Sequence, residues 1–256
     1  MNILITGVTK GIGLALTKEF IRRGDRVFGV ARTLSRLKDL EKEYPQSFIP
    51  LNYDISLEEK NIHKIFSYLE ENSIKIDILV NNAGVGALGK FQDISLADNQ
   101  RIINLNILSL VNMTHKFLNY KKYDKFTGII NISSTGAFQV GGPYFATYYG
   151  TKSFVSSFTN SLITENPKTK EKDFRIMGVY PGPTSTEFVG MKDEKSFYIM
   201  DSQKVAKIII DDFFKGKDIC IPGMFNKFLV ILGKFIPRKL ELKLLKKIQL
   251  KKIKKI

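Results

Sequence analysis

The chain has few of the residues that build disulfide frameworks and metal sites. Its 256 residues include one cysteine, two histidines and no tryptophan. A single thiol forms no internal disulfide, which excludes a disulfide-stabilised scaffold and fits a reducing cytoplasm. We therefore interpret Cys220 as a small buried residue of a strand. Because the cysteine and the histidines are far apart in sequence, we also expect no metal site.

Long apolar runs and a leader segment are missing as well. Met1 and Asn2 lead directly into apolar residues 3–5, a stretch too short for the apolar region of a signal peptide. No run reaches the roughly 20 apolar residues that span a bilayer. We therefore expect a cytoplasmic protein, with any membrane contact peripheral to the inner face of the membrane.

Acidic residues are scarce at one end of the chain. The net charge is +15, yet residues 234–256 alone hold ten lysines or arginines and one glutamate. A basic protein can bind nucleic acid, but the rest of the chain shows no basic stripe interleaved with aromatic residues. We therefore expect no nucleic-acid partner and assign most of the excess charge to the C-terminal segment.

Apolar runs of strand length alternate with helical segments up to residue 222. Strands are predicted at 2–6, 26–31, 47–52, 77–80, 128–132, 173–180 and 218–222. Helices are predicted at 14–21, 34–44, 57–72, 95–120, 148–164 and 202–214. This alternation predicts an α/β fold, a doubly wound Rossmann-type parallel sheet. We assign residues 1–222 to one dinucleotide-binding and catalytic domain, and residues 223–256 to a C-terminal helical extension.

A glycine-rich turn lies between the first predicted strand and helix. The glycines are spaced G-x-x-x-G-x-G from Gly7 to Gly13. Such a turn lets backbone N–H groups approach a pyrophosphate at a helix N-terminus. The predicted cofactor-binding residues of this turn are Gly7, Thr9, Lys10, Gly11, Ile12 and Gly13.

The residues after the second predicted strand indicate which dinucleotide binds. An acidic residue there would hold the ribose 2′-hydroxyl of NAD, whereas an arginine accommodates the 2′-phosphate of NADP. Arg32 stands at this point, and no acid follows until Asp39. Lys10 adds a second cation in the glycine turn. Each cation alone is also compatible with a solvated surface charge, but together they favour NADP(H).

Three residue types with complementary chemistry follow the fifth predicted strand. Tyr148 and Lys152 are four positions apart, so they share one face of a helix. A nearby ammonium favours the phenolate and lowers the tyrosine pKa, which suits a proton donor and acceptor. Ser134 lies at the end of a buried strand, where parallel sheets build their sites. Asn106 lies within a predicted helix, where asparagine is disfavoured, and indicates either a site or a solvated face.

These motifs together resemble the short-chain dehydrogenase/reductase family over about residues 2–222. The resemblance rests on T-G-x-x-x-G-x-G at the first turn, N-N-A-G from Asn81, and Y-x-x-x-K from Tyr148. It implies the catalytic set Asn106, Ser134, Tyr148 and Lys152, with the tyrosine and the lysine also contacting the cofactor. It adds as cofactor-binding residues Asp54, Ile55, Asn82, Ala83, Gly84, Pro181, Gly182, Thr184 and Thr186.

One spacing departs from the family pattern. Ser134 and Tyr148 are fourteen positions apart, one more than is usual in the family. The extra residue falls within residues 136–143. Ser133 and Thr135 therefore remain alternatives to Ser134.

The resemblance implies hydride transfer between a nicotinamide and a carbonyl or secondary alcohol. It assigns proton transfer to Tyr148, ribose binding and pKa lowering to Lys152, and orientation of the substrate oxygen to Ser134. It gives Asn106 a water that links the lysine to solvent. A homo-oligomer is also expected. The alternative function is a catalytically silent dinucleotide-binding sensor or scaffold at a membrane surface.

Aromatic residues surround the predicted site. Phe138, Tyr144 and Phe145 precede the tyrosine, and a predicted lid at 183–201 adds Phe188, Met191, Phe197, Tyr198 and Met200. They indicate an apolar pocket for a medium-sized hydrophobic substrate. They are equally compatible with core or subunit contacts.

The C-terminal extension changes character at Pro237. Residues 225–236 are strongly apolar, and we expect them to pack on the domain or on a second subunit. Residues 238–256 form a basic helix with Leu242, Leu245, Ile248, Ile253 and Ile256 roughly on one face. Such a helix is typical of anionic membrane surfaces, and its alternative is also packing on protein.

Overall fold

The computed structural model describes residues 1–56, 59–120, 126–167, 173–185 and 199–253. Its strands are β1 (Asn2–Thr6), β2 (Arg26–Ala31), β3 (Phe48–Asn52), β4 (Ile78–Asn81), β5 (Phe126–Ile132), β6 (Asp173–Val179) and β7 (Ile219–Cys220). Within the described ranges these seven strands form one parallel sheet, in the order β3-β2-β1-β4-β5-β6-β7. The order reverses between β1 and β4, which confirms the predicted doubly wound sheet.

Helices cover both faces of the sheet. They are α1 (Gly11–Arg22), α2 (Leu34–Glu43), α3 (Glu59–Glu71), α4 (Leu96–Ile103), α5 (Ser109–Tyr120), α6 (Ala146–Glu165), α7 (Ser202–Phe214), α8 (Met224–Gly233) and α9 (Arg238–Ile253). Side chains of α1, α2 and α7 fill one core, and those of α3, α5 and α6 fill the other. Along β1, Ile3 and Ile5 enter the first core and Leu4 the second. This alternation explains why the strands read as continuous apolar runs.

The predicted single helix at 95–120 is interrupted in its middle. Between α4 and α5 lies a π-helical turn, Asn104–Leu108, in which the Ser109 N–H donates to the Asn104 carbonyl. Asn106 lies in this turn and is buried. The prediction of one regular helix is therefore wrong. Turns of this kind occur often at functional sites, and this one lies beside the candidate site described below.

Two other boundaries differ from the prediction in ways that affect the site. The α6 helix begins at Ala146 rather than at 148, so its first turn carries Tyr148. The predicted strand at 218–222 forms ladder pairs only at Ile219 and Cys220. Pro222 has no N–H to continue such a ladder. Cys220 is buried in β7, as expected.

The C-terminal extension forms two helices separated near Pro237. The α9 helix buries Glu241, Leu245 and Gln249, which are spaced one turn apart. The Gln249 Nε2 donates to the Tyr149 hydroxyl at 3.1 Å, so this helix packs on α6. For this side of α9 the contact agrees with the alternative expectation, packing on protein. A domain boundary at residue 222 stays a prediction.

The predicted apolar face of the basic helix is only partly correct. Leu245 is buried, but Ile248 is 50% exposed, and Ile256 lies outside the described residues. The α8 helix, by contrast, exposes most of its apolar side chains. Among the described helices, none is long and apolar enough to cross a membrane.

Candidate active site and cofactor cleft

The glycine turn between β1 and α1 has no space for side chains. Gly7 has a φ of +75°, which favours glycine. A Cβ on Gly13 would lie 2.1 Å from the Gly7 carbonyl oxygen and 2.3 Å from the Asn82 side-chain nitrogen. The G-x-x-x-G-x-G spacing is therefore required by close backbone contacts, and it also leaves the start of α1 open to a ligand.

Asn82 holds this turn against the end of β4. Its Nδ2 donates to the carbonyls of Thr6 and Gly7 at 3.0 and 3.1 Å. The Thr6 hydroxyl oxygen in turn accepts hydrogen bonds from the N–H groups of Asn82 and Ala83, both at 3.0 Å. The side-chain nitrogen of Asn82 therefore forms its hydrogen bonds with the protein backbone. In the structure Asn82 shapes the turn, and its predicted contact with a cofactor stays a prediction.

Positive charge collects where β2 ends. Arg32 is exposed, and the Asn52 amide donates to its carbonyl at 3.0 Å. Lys10 occupies the N-cap position of α1 and is exposed. Arg36, which the sequence analysis missed, donates from Nη1 to the Thr9 carbonyl at 3.4 Å. Its position one helical turn after Arg32 is the signal that could have identified it.

This arrangement fits an NADP(H)-type dinucleotide. The glycine turn gives a backbone surface that a Cβ would fill. Arginine at the end of β2, with a second arginine tied to the glycine turn, suits a 2′-phosphate. The other side of the cleft has Asp54, whose Oδ1 accepts from the N–H and hydroxyl of Ser56 at 2.9 and 2.6 Å. Ile55 beside it is buried in the second core.

Ser134 is the serine that reaches the tyrosine. Its hydroxyl forms a hydrogen bond with the Tyr148 hydroxyl. Ser133, one position earlier, instead donates to the Lys152 carbonyl at 2.7 Å and is buried. The backbone N–H of Thr135 donates to the Pro181 carbonyl at 3.0 Å. The geometry therefore favours Ser134 over both alternatives, despite the spacing of fourteen residues.

Lys152 is buried beneath the tyrosine ring. Its Nζ lies 5.8 Å from the Tyr148 ring centroid and donates to the Ile132 carbonyl at 2.9 Å. Burial lowers the pKa of Lys152 to about 8. The Lys152 ammonium thus lies over the face of the ring and donates to a backbone carbonyl.

The expected lowering of the tyrosine pKa is wrong for this arrangement. Burial raises the pKa of Tyr148 to about 12, although its hydrogen bond with Ser134 acts in the opposite direction. Tyr148 is partly buried, and loss of contact with water disfavours the phenolate. Tyr148 is therefore a protonated donor at neutral pH in this structure.

Asn106 braces the site from the π-helical turn. Its Oδ1 accepts from the Val85 N–H, and its Nδ2 donates to the Val85 carbonyl and to the Thr151 hydroxyl, each at 2.9 Å. The side chain thus ties the segment after β4 to α6. The structure shows this amide bound to protein, so the expected water bridge would have to use another atom of this turn. A Cβ on Gly84 would lie 3.4 Å from both Asn106 Oδ1 and Lys152 Nζ.

Aromatic side chains pack near Tyr148. Phe145 stacks on Tyr148 with ring centroids 4.4 Å apart, and a Cβ on Gly86 would lie 3.1 Å from the tyrosine ring. Phe138 packs on Tyr180 and stays 37% exposed. The lid residues Phe188, Met191, Phe197 and Tyr198 lie outside the described residues.

The segment after β6 is held by α8. A Cβ on Gly182 would lie 2.3 Å from the side chain of Asn226, which is 4% exposed. Thr184 donates to the Gly182 carbonyl at 3.0 Å and pairs with Met200. Thr186 lies outside the described residues. Asn226 was missed because its partner is 44 positions away and no local pattern marks it.

A network of hydrogen bonds between buried asparagines and threonines lies next to the site. Asn81 on β4 donates to Asn131 on β5 at 2.9 Å and to Thr114 on α5 at 3.0 Å. Asn131 then donates to Thr159 on α6 at 3.0 Å. This network fixes the positions of β4 and β5 relative to α6, the helix that contains Tyr148. Asn81 ends β4 and Asn131 is the penultimate residue of β5, so each interrupts an apolar run near the carboxyl end of a strand.

Comparisons with known proteins agree with this geometry. A family model described as short chain dehydrogenase matches residues 1–196. A serine 3-dehydrogenase of Agrobacterium fabrum is 36% identical over 192 residues, covering 73% of this chain and 73% of that protein. A probable NADP-dependent dehydrogenase of Haemophilus influenzae is 33% identical over 208 residues, covering 80% and 78%.

A solved structure extends the comparison to the fold. The closed form of a serine dehydrogenase complexed with NADP+ superposes with a TM-score of 0.75 at 26% identity, covering 86% of this chain and 94% of the other. The family match contains all the predicted catalytic and cofactor positions, and it ends before α8 and α9.

Proposed function

The chain belongs to the short-chain dehydrogenase family, and on that premise we propose that it transfers a hydride between NADP(H) and a carbonyl or secondary alcohol. As a member of that family it is an NAD(P)-dependent oxidoreductase. The preference for NADP(H), the roles of individual residues and the class of substrate are our proposals. They follow from the contacts described above.

The observation that carries the proposal is the grouping of Ser134, Tyr148 and Lys152 beside the glycine turn. The serine is hydrogen bonded to the tyrosine, and the lysine ammonium lies 5.8 Å from the centroid of its ring. They come from the segment just after β5 and from α6, at the carboxyl edge of the sheet where ligands of such folds bind. A silent sensor needs no proton donor, so this grouping favours an enzyme over that alternative.

A bound nicotinamide dinucleotide would supply the hydride. Tyr148 would donate its proton to the oxygen of the carbonyl as negative charge develops there, and Ser134 would orient that oxygen through its hydroxyl. Lys152 would present positive charge beneath the tyrosine ring and bind the ribose hydroxyls. Asn106 would hold the segment after β4 against α6, so that Ser134, Tyr148 and Lys152 keep their relative positions.

For the cofactor, Lys10, Arg32 and Arg36 would hold the 2′-phosphate of NADP(H). The glycine turn, Asn82, Ala83 and Gly84 would shape the floor of the cleft. Asp54 and Ile55 would flank the adenine. The segment from Pro181 through Gly182, Thr184 and Thr186 would contact the nicotinamide end. The arginine tied to the Thr9 carbonyl supports the NADP(H) preference most directly, since it brings a second guanidinium to the turn.

For the substrate, the walls near the tyrosine support a hydrophobic molecule of medium size. Phe145 is stacked on the tyrosine, and the side chains of Phe138 and Val140 remain 37% and 39% exposed beyond it. Apolar walls with a few polar groups are usual for such sites. The proposed substrates are accordingly ketones, aldehydes and secondary alcohols with apolar substituents.

The test is turnover of NADPH and NADP+ with a panel of these compounds and with small hydroxy acids. We expect activity with apolar ketones that Tyr148→Phe lowers by about 10³-fold while leaving NADPH binding unchanged. Tyr149→Phe serves as the matched control, because it removes the same hydroxyl from the adjacent residue. Turnover by Tyr148→Phe at a rate close to that of the unchanged protein would overturn the proposed proton donor.

Two further expectations remain proposals. A homo-oligomer is expected, and its test is the mass of the purified protein in solution. Contact of residues 238–256 with an anionic membrane is also retained, although α9 uses its Glu241, Leu245 and Gln249 face for packing on the domain. Only its outward side is then available to lipid.

A further inference from the structure

The α8 helix turns its apolar side chains outward. Phe228 is 59% exposed, Ile231 58% and Phe235, just beyond the helix, 79%. We define the α8 apolar face as these three residues together with Met224, Leu229 and Leu232, which are 87%, 46% and 42% exposed. The most apolar helix of the chain by sequence thus shows a continuous hydrophobic surface.

The helical period places these residues on one side. At 3.6 residues per turn they cover an arc of roughly 160°. The opposite side carries Asn226, which is buried and donates to the Pro222 carbonyl at 2.8 Å. Lys227 and Lys234 lie at one margin of the arc and are exposed. An apolar arc bordered by lysines is the pattern of helices that lie in a membrane surface.

The next helix adds charge and a second apolar stripe. Leu240, Leu244 and Ile248 are spaced one turn apart on α9 and are 50%, 45% and 50% exposed. Residues 224–253 contain nine lysines or arginines and a single acid, Glu241, which is buried. The exposed charges of this region are therefore of one sign.

We propose that the α8 apolar face docks on an anionic lipid bilayer, with the lysines of α8 and α9 facing the headgroups. Charge complementarity selects this partner, because lysines near an anionic leaflet each add attraction. A second copy of this chain would bring the same positive region against itself in a two-fold contact. A nucleic acid would meet an apolar arc where phosphate contacts require cations.

The proposed surface adjoins the candidate site. Asn226 on the inner side of α8 contacts Gly182, and its Nδ2 lies 3.6 Å from the Met200 sulfur. The inward side of the helix thus forms part of the rim around the segment after β6. Docking by α8 would hold that rim near the bilayer, where a lipophilic substrate is concentrated. This consequence rests on the proposed function, whereas the docking itself does not.

The experiment is co-sedimentation of the full chain with phosphatidylglycerol–phosphatidylcholine vesicles and with pure phosphatidylcholine vesicles. We expect binding to the anionic vesicles at about 50 mM salt, and weaker binding at about 0.5 M, where charges are screened within a few ångströms. The double variant Phe228→Gln/Phe235→Gln should bind at least about tenfold more weakly, since burying one phenylalanine contributes about that factor.

The matched control is Phe91→Gln/Leu96→Gln, which changes two side chains that are 65% and 73% exposed elsewhere in the chain. It should bind as the unchanged protein does. No binding to anionic vesicles at low salt would overturn the proposal, as would equal losses in the two double variants. A face variant that binds vesicles normally but dissociates an oligomer in solution would show that α8 is a subunit interface instead. NADPH turnover measured without vesicles tests the proposed function separately.

Discussion

The two sides of the candidate site are held in place by different means. On the cofactor side, the glycine turn, Thr6 and Asn82 are joined by backbone contacts and by hydrogen bonds between β1 and the end of β4. On the substrate side, Tyr149 and Gly182 depend on Gln249 and Asn226 from the C-terminal helices. The first side belongs to the sheet, whereas the second depends on the last part of the chain.

This difference indicates which side is open to variation. Backbone geometry at the glycine turn leaves almost no side-chain choice, so that side can serve one kind of ligand. Side-chain contacts from remote helices can change one residue at a time without altering the sheet. The family match also ends before α8 and α9. We therefore expect substitutions on the cofactor side to affect binding of the dinucleotide, and those on the substrate side to affect KM for the substrate.

The largest effect is expected where the two sides meet. Tyr148→Phe removes the proposed proton donor, and general acid catalysis is typically worth 10²–10⁴-fold. We expect kcat to fall by about 10³-fold with an unchanged Kd for NADPH. Steady-state turnover and nicotinamide fluorescence measure the two quantities. Tyr149→Phe should change kcat by only a few fold, and an equal loss in both variants would argue that structure rather than proton transfer is affected.

A somewhat smaller effect is expected at the glycine turn. In Gly13→Ala, the added Cβ would lie 2.1 Å from the Gly7 carbonyl oxygen, a distance at which backbone must shift. We expect NADPH affinity to fall at least about 100-fold, since the turn that holds the pyrophosphate is displaced.

The matched control at the glycine turn is Gly150→Ala. Gly150 lies in α6 with no atom within 4 Å of its added Cβ. Alanine is favoured over glycine within a helix by about 1 kcal/mol, so this variant should be at least as stable as the original in urea unfolding. Normal NADPH binding by Gly13→Ala would contradict the account of the cofactor side.

The same division explains what the sequence could and could not predict. The doubly wound parallel sheet, the glycine turn and the grouping of Ser134, Tyr148 and Lys152 follow from local patterns, because parallel strands bring their carboxyl ends to one edge. The contacts of Asn226 with Gly182 and of Gln249 with Tyr149 join residues that are far apart in sequence. No periodicity encodes such a pairing.

Two further features of the site could not be predicted from the sequence. The sequence suggested that Lys152 would lower the tyrosine pKa, but burial acts on both groups and raises the pKa of Tyr148 to about 12. The π-helical turn at Asn106 interrupts a segment that the sequence predicts as one regular helix, and no glycine or proline marks the interruption. Degree of burial and local helix geometry both depend on tertiary packing.

The third prediction tests the two arginines on the cofactor side. Removing one charge-assisted hydrogen bond costs about 1.5–3 kcal/mol, so Arg32→Ala and Arg36→Ala should each weaken NADPH binding by roughly tenfold or more. NADH lacks the 2′-phosphate and should bind with nearly unchanged affinity. Lys38→Ala, an exposed cation on the same helix, is the matched control. Equal losses for NADH and NADPH would show that the arginines act on the fold of the cleft instead.

The fourth prediction concerns pH. The pKa of Tyr148 is raised to about 12, so the phenol stays protonated from neutral to mildly alkaline pH. Carbonyl reduction uses the protonated form and should not gain from added base. Alcohol oxidation needs the phenolate as base, so its kcat should rise by up to about tenfold per pH unit between pH 7 and 9, because this interval lies well below the pKa of Tyr148. Lys152, whose pKa is lowered to about 8, loses its charge over the same interval. Reduction should therefore decline above that value, and parallel profiles for both directions would contradict these assignments.

The smallest effect is expected at the contact that ties α9 to the substrate side. Gln249 is 2% exposed and donates to the Tyr149 hydroxyl, while its Oε1 has no hydrogen-bond partner among the described residues. Tyr149→Phe would leave the whole amide buried without a partner, which costs about 1–3 kcal/mol. Gln249→Leu would remove the unsatisfied oxygen together with the bond, so its own cost should be lower.

In the double variant, two apolar groups would face each other, and this replacement can be nearly neutral. The double-mutant cycle in urea unfolding should therefore show a coupling of about 1 kcal/mol, with the double variant more stable than the sum of the single losses implies. If the two sides of the site are independent, these variants should change KM for the ketone by a few fold and leave the Kd for NADPH unchanged. Additive losses in the free energy of unfolding would show that the Gln249–Tyr149 contact does not stabilise the substrate side. A change in the Kd for NADPH would show that the two sides are coupled.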